Sequence, residues 1–395
     1  MTSGREPGRL DLPSVLILGG GRWARVIAEI LLPIVTEATP VCMASPTGAA
    51  SLARWAKMSA ERERIQILEK RPDTLPPRSV VIVANAARSH VESSLWALGQ
   101  GASVLVEKPF ALTTGDASLL VRAAAEYSAL LVPALVFRFA SYLDSFSTAL
   151  VRRGPVERVE LIWTDAAVEY RHGEAKSYDS SVSVVEDCLP HVISIFNSVF
   201  GTLPEVRTLA MGRGGATVRL ELVAGAQTYQ VVLERNAGAR QRILRAAGAS
   251  GVAVLDFTTE PGTVWLDGEM QSPVSWPAGK GSMARMLFAF LKAAMSGVLD
   301  DRLSIEPALH ASKLTAESMS RYRPQLIEGL KAGLFGADFA YAITEQLQRD
   351  GRLAMEPLGR AVAALQQKLA EGTTNGGWPD LEAAVRNARD QALRF

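Results

Sequence analysis

Six short apolar runs separated by amphipathic stretches fill residues 14–133 of this 395-residue chain, and that alternation restricts the fold more than any other feature. The runs are Val15–Leu18, Val41–Ala44, Ile65–Leu68, and residues 80–84, 104–106 and 130–132. Helix-like stretches such as 89–99 and 115–127 lie between them. Unbroken apolar runs of this length suit strands buried on both faces, and strand–helix alternation builds a parallel sheet covered by helices on both sides. Residues 14–138 therefore read as an α/β domain with a doubly wound parallel sheet.

The first run leads straight into Gly19-Gly20-Gly21-Arg22-Trp23-Ala24 and then an amphipathic segment to about Leu32. Strand, glycine loop and helix follow in the order a dinucleotide site requires. Gly19 is expected to make the tight turn, Gly21 to let the backbone approach a pyrophosphate, and Ala24 to fill the small position where helix packs on strand. Gly20, Arg22 and Trp23 complete the loop, whose amides would face the phosphates. A ribose-reading acid should end the next strand if NAD were being read, but the chain has Ala44-Ser45-Pro46-Thr47 there. With Ser45 and Thr47 as donors and Arg22 nearby, the expectation tilts toward NADP(H), with NAD(H) left open.

At the end of the fifth run stands Glu107-Lys108-Pro109. Pro109 disfavours helical backbone for Lys108, so the ammonium is held just past the strand, where open α/β sheets keep their ligands. A lysine so placed is a candidate general acid, and a surface Lys-Pro turn is the alternative.

Beyond Phe137-Arg138-Phe139 the pattern changes to longer β-type runs, at 156–164, 206–211, 216–223, 227–233, 242–247, 252–257 and Thr263–Leu266, with helices near 281–296 and 305–322. The spacing and turns predict a second, α+β domain with an open, mostly antiparallel sheet over residues 139–323. Residues 1–13 read as a flexible arm and 324–395 as a helical C-terminal extension. In Glu186-Asp187-Cys188-Leu189-Pro190-His191, Asp187 and His191 stand one helical turn apart. Proline is tolerated in a first turn, so the helix is expected to begin near Asp187. Asp187 is then either an N-cap beside a packing histidine, or one half of a presented pair.

Taken together, the glycine loop, Glu107 to Pro109 and Asp187 to His191 resemble the Gfo/Idh/MocA family of NAD(P)-dependent oxidoreductases. The likeness spans roughly residues 14–323 and extends to Asn85 and His90, in the loop under the nicotinamide ribose, and to Arg138 at the domain junction. The resemblance implies that Lys108 polarises the substrate, His191 donates or accepts the proton, and Asp187 binds or orients the substrate. It also implies cofactor contacts from Glu107 and Lys108. Sugar-oxidising members commonly carry a glycine pair ahead of the Asp-x-x-x-His segment, where this chain has Ser180 to Glu186. That departure points away from a plain pyranose and toward a small ketone, imine or alcohol, including specialised biosynthetic substrates. A sugar or cyclitol dehydrogenase remains the alternative within the family. A non-catalytic NADP(H) sensor or partner-docking protein is the alternative outside it.

Tyr178, in the polar connection 170–178, is a further substrate candidate. His172 lacks a spaced third ligand, and no metal is expected. The net charge of +1 offers no footprint for nucleic acid or an anionic membrane. No apolar stretch approaches the ~18 residues of a membrane span. Cys42 and Cys188 are too few for a disulfide framework, and with no signal-like start they suit a cytoplasmic protein. A homodimer or homotetramer is expected from the exposed face of a large open sheet.

Overall fold

The computed structural model describes residues 8–171, 174–175, 182–271 and 281–332. In chain order the elements are β1 (Val15–Leu18), α1 (Arg22–Leu31), β2 (Val41–Ala44), α2 (Ala49–Ala56), α3 (Ala60–Glu63), β3 (Ile65–Leu68), β4 (Val80–Val83), α4 (His90–Gly99), β5 (Ser103–Val106), α5 (Thr114–Glu126), β6 (Leu131–Pro133) and α6 (Ser141–Val151). There follow β7 (Arg158–Ala166), β8 (Tyr170–Arg171), β9 (Glu174–Ala175), α7 (Val184–Phe200), β10 (Glu205–Gly212), β11 (Thr217–Ala224), β12 (Gln227–Ala237), β13 (Gln241–Gly248), β14 (Gly251–Asp256), β15 (Thr263–Leu266), β16 (Glu269–Met270), α8 (Ser282–Ser296) and α9 (Glu306–Ala332).

The chain forms two compact units that interleave along the sequence. One comprises Met1–Ser147, Pro190–Leu203 and Ser275–Lys313, the other Thr148–Leu189, Pro204–Val274 and Leu314–Phe395. The linear boundary read near residue 138 is replaced by this threading, because the apolar face of α8 returns to the first unit. Met286, Leu287 and Phe290 of α8 share a core with Ile27 and Leu31 of α1 and Leu52 of α2.

In the first unit the six strands pair in parallel in the order β3-β2-β1-β4-β5-β6. Side chains alternate between two cores: Val15 and Ile17 face the α1 side, while Leu16 and Leu18 face a second cluster with Ala97 and Leu98 of α4 and Leu120 of α5. Burial on both faces is why every β1 residue is apolar. The strand order reverses between β1 and β4, which puts the ligand crevice of such a sheet at their carboxyl ends. The arm expected over residues 1–13 is tied down where it is described. Leu10 accepts from Thr36 N–H at 2.8 Å and donates to Ile34 at 2.8 Å, and Leu12 is buried.

The second unit carries an eight-stranded sheet, order β10-β11-β12-β7-β13-β14-β15-β16, in which only the β12–β7 pair is parallel. Val159, Leu161 and Trp163 of β7 and Tyr229, Val231 and Leu233 of β12 are buried while their neighbours alternate outward, the period of a sheet covered on one face. Within this unit the far half of α9 lies along β10: Arg321 donates to the Arg207 carbonyl at 2.6 Å and Gln325 to that of Leu209 at 3.2 Å. The helical extension expected over 324–395 is described only as far as Ala332.

Candidate active site

Gly19 takes φ of +147°, a backbone region L side chains rarely adopt, and a Cβ there would lie 2.5 Å from the Ala84 carbonyl oxygen. The first glycine is thus required by the close approach of β1's end to the loop after β4. A Cβ on Gly20 would fall 2.5 Å from Ser45 Oγ, so the second glycine makes room for the segment after β2. Gly21 is the N-cap of α1, and a Cβ there would meet nothing within 4 Å. No side chain caps α1 and its first turn holds no acid, leaving its amides to an anion. Ala24 is fully buried, as expected for the third small position.

Ser45 is buried and accepts a hydrogen bond from Gly48 N–H at 3.0 Å, while Thr47 is exposed. Arg22 is half-buried at the start of α1. After β4, Asn85 donates from Nδ2 to Ser93 Oγ at 2.8 Å, and its buried Oδ1 has no hydrogen-bond partner among the described residues. An acceptor left so beside the glycine loop suits a ligand hydroxyl. Open space above Gly21, uncapped amides and this acceptor all fit a dinucleotide.

Glu107 is 5% exposed at the end of β5. Burial pushes its carboxyl above the ordinary range, opposed by a hydrogen bond from the Trp23 side chain, the Lys108 charge and the Lys108 backbone N–H, which lies 3.1 Å from Oε2. The glutamate of this motif backs the lysine turn through Oε2, while its buried Oε1 has no hydrogen-bond partner among the described residues. Lys108 itself is half-buried. His90, expected as a cofactor contact, is 1% exposed, and its ring nitrogens face two backbone carbonyls, of Pro109 at 2.8 Å and Asn85 at 3.1 Å. His191 lies in the same unit as Lys108, with its ring edge-on to Phe137 at 5.1 Å between centroids. Arg138 donates to the Ser304 carbonyl at 3.3 Å. Burial lowers its pKa from the ordinary value, against the pull of Asp300 and Glu306.

In the second unit the helix start differs from expectation. α7 begins at Val184, and Ser183 and Glu186 form a capping box: Glu186 N–H donates to Ser183 Oγ at 3.2 Å, and Ser183 N–H and Oγ both donate to Glu186 Oε2 at 2.8 Å. Asp187 is therefore not the N-cap, and Pro190 sits inside the helix. The Asp187 carboxylate is instead held by Arg235 of β12, whose guanidinium also donates to the Val182 carbonyl at 2.7 Å. Arg235 was not legible as a site residue, being 48 positions away on another strand. The Ser-x-x-Glu spacing at 183–186 was the signal for the true helix start. Tyr178 and His172 lie outside the described residues. Among the described residues no group of three His, Cys, Asp or Glu side chains could hold a metal.

A parallel sheet with a glycine turn at its switch point and a lysine at the end of β5 gives the first unit a dinucleotide-binding type of fold, followed by a second unit with an open, mostly antiparallel sheet. A family model described as an oxidoreductase family with an NAD-binding Rossmann fold, GFO_IDH_MocA, matches residues 14–134, so this first stretch of the chain is similar to that family's nucleotide-binding domain. No curated protein sequence matches. Among solved structures, UDP-N-acetylglucosamine 3-dehydrogenase GnnA from Acidithiobacillus ferrooxidans is 16% identical with a TM-score of 0.61, over 79% of this chain and 98% of that one. KijD10, a 3-ketoreductase from Actinomadura kijaniata in complex with TDP-benzene and NADP, is 20% identical in its open conformation with a TM-score of 0.62, over 77% of this chain and 95% of that one. At these identities the likeness is one of fold.

Proposed function

We propose that the protein transfers hydride between NADP(H) and a small ketone, imine or alcohol, with Lys108 and His191 as the acid–base pair. The observation that carries this reading is the Glu107-Lys108-Pro109 turn at the end of β5, where buried Glu107 accepts from the Lys108 N–H at 3.1 Å and the half-buried lysine stands at the carboxyl end of the sheet. β5 pairs with β4 and β4 with β1, so this cationic side chain stands at the same end of the sheet as the glycine loop that would bind the cofactor.

The bound cofactor supplies or accepts the hydride at its nicotinamide ring. Lys108 orients the substrate heteroatom and stabilises the negative charge that grows on it as the carbon takes hydride. His191 passes the proton that the heteroatom gains on reduction and loses on oxidation, a task matched to a side chain titrating near neutrality. Asp187, paired with Arg235, binds or orients a substrate hydroxyl or amine. Ser45, Thr47 and Arg22 supply donors for a 2′-phosphate with no acid at the end of β2 to repel it. Since a ketoreductase and a dehydrogenase of nucleotide-linked sugars share this fold, such keto sugars belong in the substrate screen beside simple ketones, imines and cyclitols.

Titration with NADPH and NADH, followed through quenching of Trp23, tests the cofactor half. Tight NADPH binding followed by oxidation in the presence of a carbonyl supports the reading, and Lys108→Met should then cut turnover far more than NADPH affinity. Tight binding with no turnover across the screen favours a sensor. Failure to bind either cofactor sinks both.

A further inference from the structure

Within the first unit the short 3₁₀ turn Val136–Phe139 is fastened by Arg138, Arg285 and Arg302. Arg138 Nη1 donates to the Ser304 carbonyl at 3.3 Å, Arg285 of α8 donates to the Phe139 carbonyl, and the Arg302 guanidinium covers the Phe139 ring at 4.4 Å. Phe139 is 1% exposed, and Phe137, two positions earlier on the same turn, is 8% exposed. A turn tied down in this way holds the Phe137 ring as a fixed wall. The ring it meets is that of His191, with the centroids 5.1 Å apart and the planes at 85°. Aromatic rings prefer this edge-to-face arrangement.

The backbone of His191 is fixed from its own side. Val192 and Ile193, next to it in α7, are fully buried, and Ser194 Oγ donates to the His191 carbonyl at 2.8 Å. Helix packing of this kind places the Cα but not the imidazole, because the torsion that turns the ring is broad and roughly two-fold. A ring that passes a proton must aim one nitrogen at the substrate heteroatom, and losing that aim costs turnover rather than affinity. The edge-on contact with Phe137 restricts the torsion that sets the aim.

We infer that Phe137 is a positioning residue that holds the imidazole of His191 in the orientation from which it passes the proton. The inference rests on the role proposed for His191.

The test pairs NMR of the full-length protein, isotope-labelled at its four histidines, with turnover on the best carbonyl of the screen. The His191 ring signals are identified by their loss in His191→Asn. The phenyl ring should displace them from the shifts of a free histidine. Phe137→Leu keeps an apolar side chain without the ring and should abolish most of that displacement, while Phe137→Tyr keeps it. Phe137→Leu should lower kcat on the order of 10-fold, with the NADPH dissociation constant changed less than about threefold, and Phe137→Tyr should recover most of the loss. In a His191→Asn background Phe137→Leu should lower kcat less than about twofold further, because a residue acting through His191 has nothing left to position. The full loss in that background overturns the inference, as does wild-type kcat in Phe137→Leu or a His191 shift that Phe137→Leu does not move. If His191→Asn turns over too slowly to measure, the shifts and the recovery in Phe137→Tyr decide. If Phe137→Leu does not fold, the wild-type shifts decide alone, and free-histidine values overturn the inference. If no carbonyl is reduced by the wild type, the functional reading falls, and the same shifts still decide whether Phe137 sets the ring.

Discussion

Arg235 Nη2 lies 3.0 Å from Asp187 Oδ2, joining a strand of the second sheet to the first turns of α7. The arginine side chain is 2% exposed and the aspartate 26%, so the guanidinium has left water while the carboxylate keeps one side toward it. The same guanidinium also donates to the carbonyls of Val182 and Ser183, so one buried arginine ties the aspartate to the segment that opens its helix.

Arg235→Met should destabilise the protein by about 3 kcal/mol, since removing one member of a buried pair strands the other. Arg235→Lys should recover only part of this, because a single ammonium cannot reach the carboxylate and two carbonyls at once. Urea unfolding at neutral pH measures both. Equal stability of Arg235→Met and wild type would show that the pair contributes nothing.

Ser45→Asp should reverse cofactor choice. A carboxylate at the end of β2 repels a 2′-phosphate, so NADPH affinity should fall by about tenfold or more while NADH affinity is kept or improved. Ser45 is packed beneath Gly20 and Gly48, so Ser45→Asn serves as the control of equal size without charge. If both substitutions weaken NADPH alike, packing and not charge decides, and the NADP preference loses its basis. Fluorescence titration distinguishes the cases.

Gly19→Ala should lower stability by about 1–3 kcal/mol through backbone strain alone, with a further penalty from the Cβ pressed against Ala84. Gly21→Ala meets open space and should leave folding intact while obstructing the approach of a pyrophosphate to the helix start. Thermal unfolding with and without NADPH separates the two. Gly19→Ala shifts the cofactor-free curve, and Gly21→Ala removes the stabilisation by NADPH.

Glu107 provides a pH signature. Burial raises its folded-state pKa above the ordinary 4.5, so the folded protein holds this proton more tightly than the unfolded chain does. Its contribution to stability is complete below that ordinary value and declines as pH rises through the folded one. Glu107→Gln should flatten that part of the profile and match or exceed the wild type at neutral pH. A wild-type melting temperature that climbs over the same interval, with Glu107→Gln reproducing the climb, would contradict the assignment.

Much of the first unit was legible because strands buried on both faces are written as unbroken apolar runs: β1, β2 and β3 coincide with the runs Val15–Leu18, Val41–Ala44 and Ile65–Leu68. The Glu107-Lys108-Pro109 turn was legible for the same local reason, since a proline after a strand limits its neighbour whatever else folds around it. The start of α7 was misjudged by three residues, because Pro190 was taken to belong to a first turn while the Ser183–Glu186 box had already set the helix start. A proline removes only one helical N–H, and a helix held at its end by a capping box can absorb that loss.

The sequence by itself determined the alternating elements, the glycine loop and the lysine turn, since each depends on residues within a few positions of one another. Only the tertiary structure decided that Arg235 holds Asp187, that His90 meets two carbonyls, and that α8 returns to the first unit. Those relationships join residues from 5 to 48 positions apart, or whole segments. Their partners are selected by burial: a charge or polar ring taken out of water must find whichever oppositely disposed group the packed core brings within reach, and no local pattern records which one that will be.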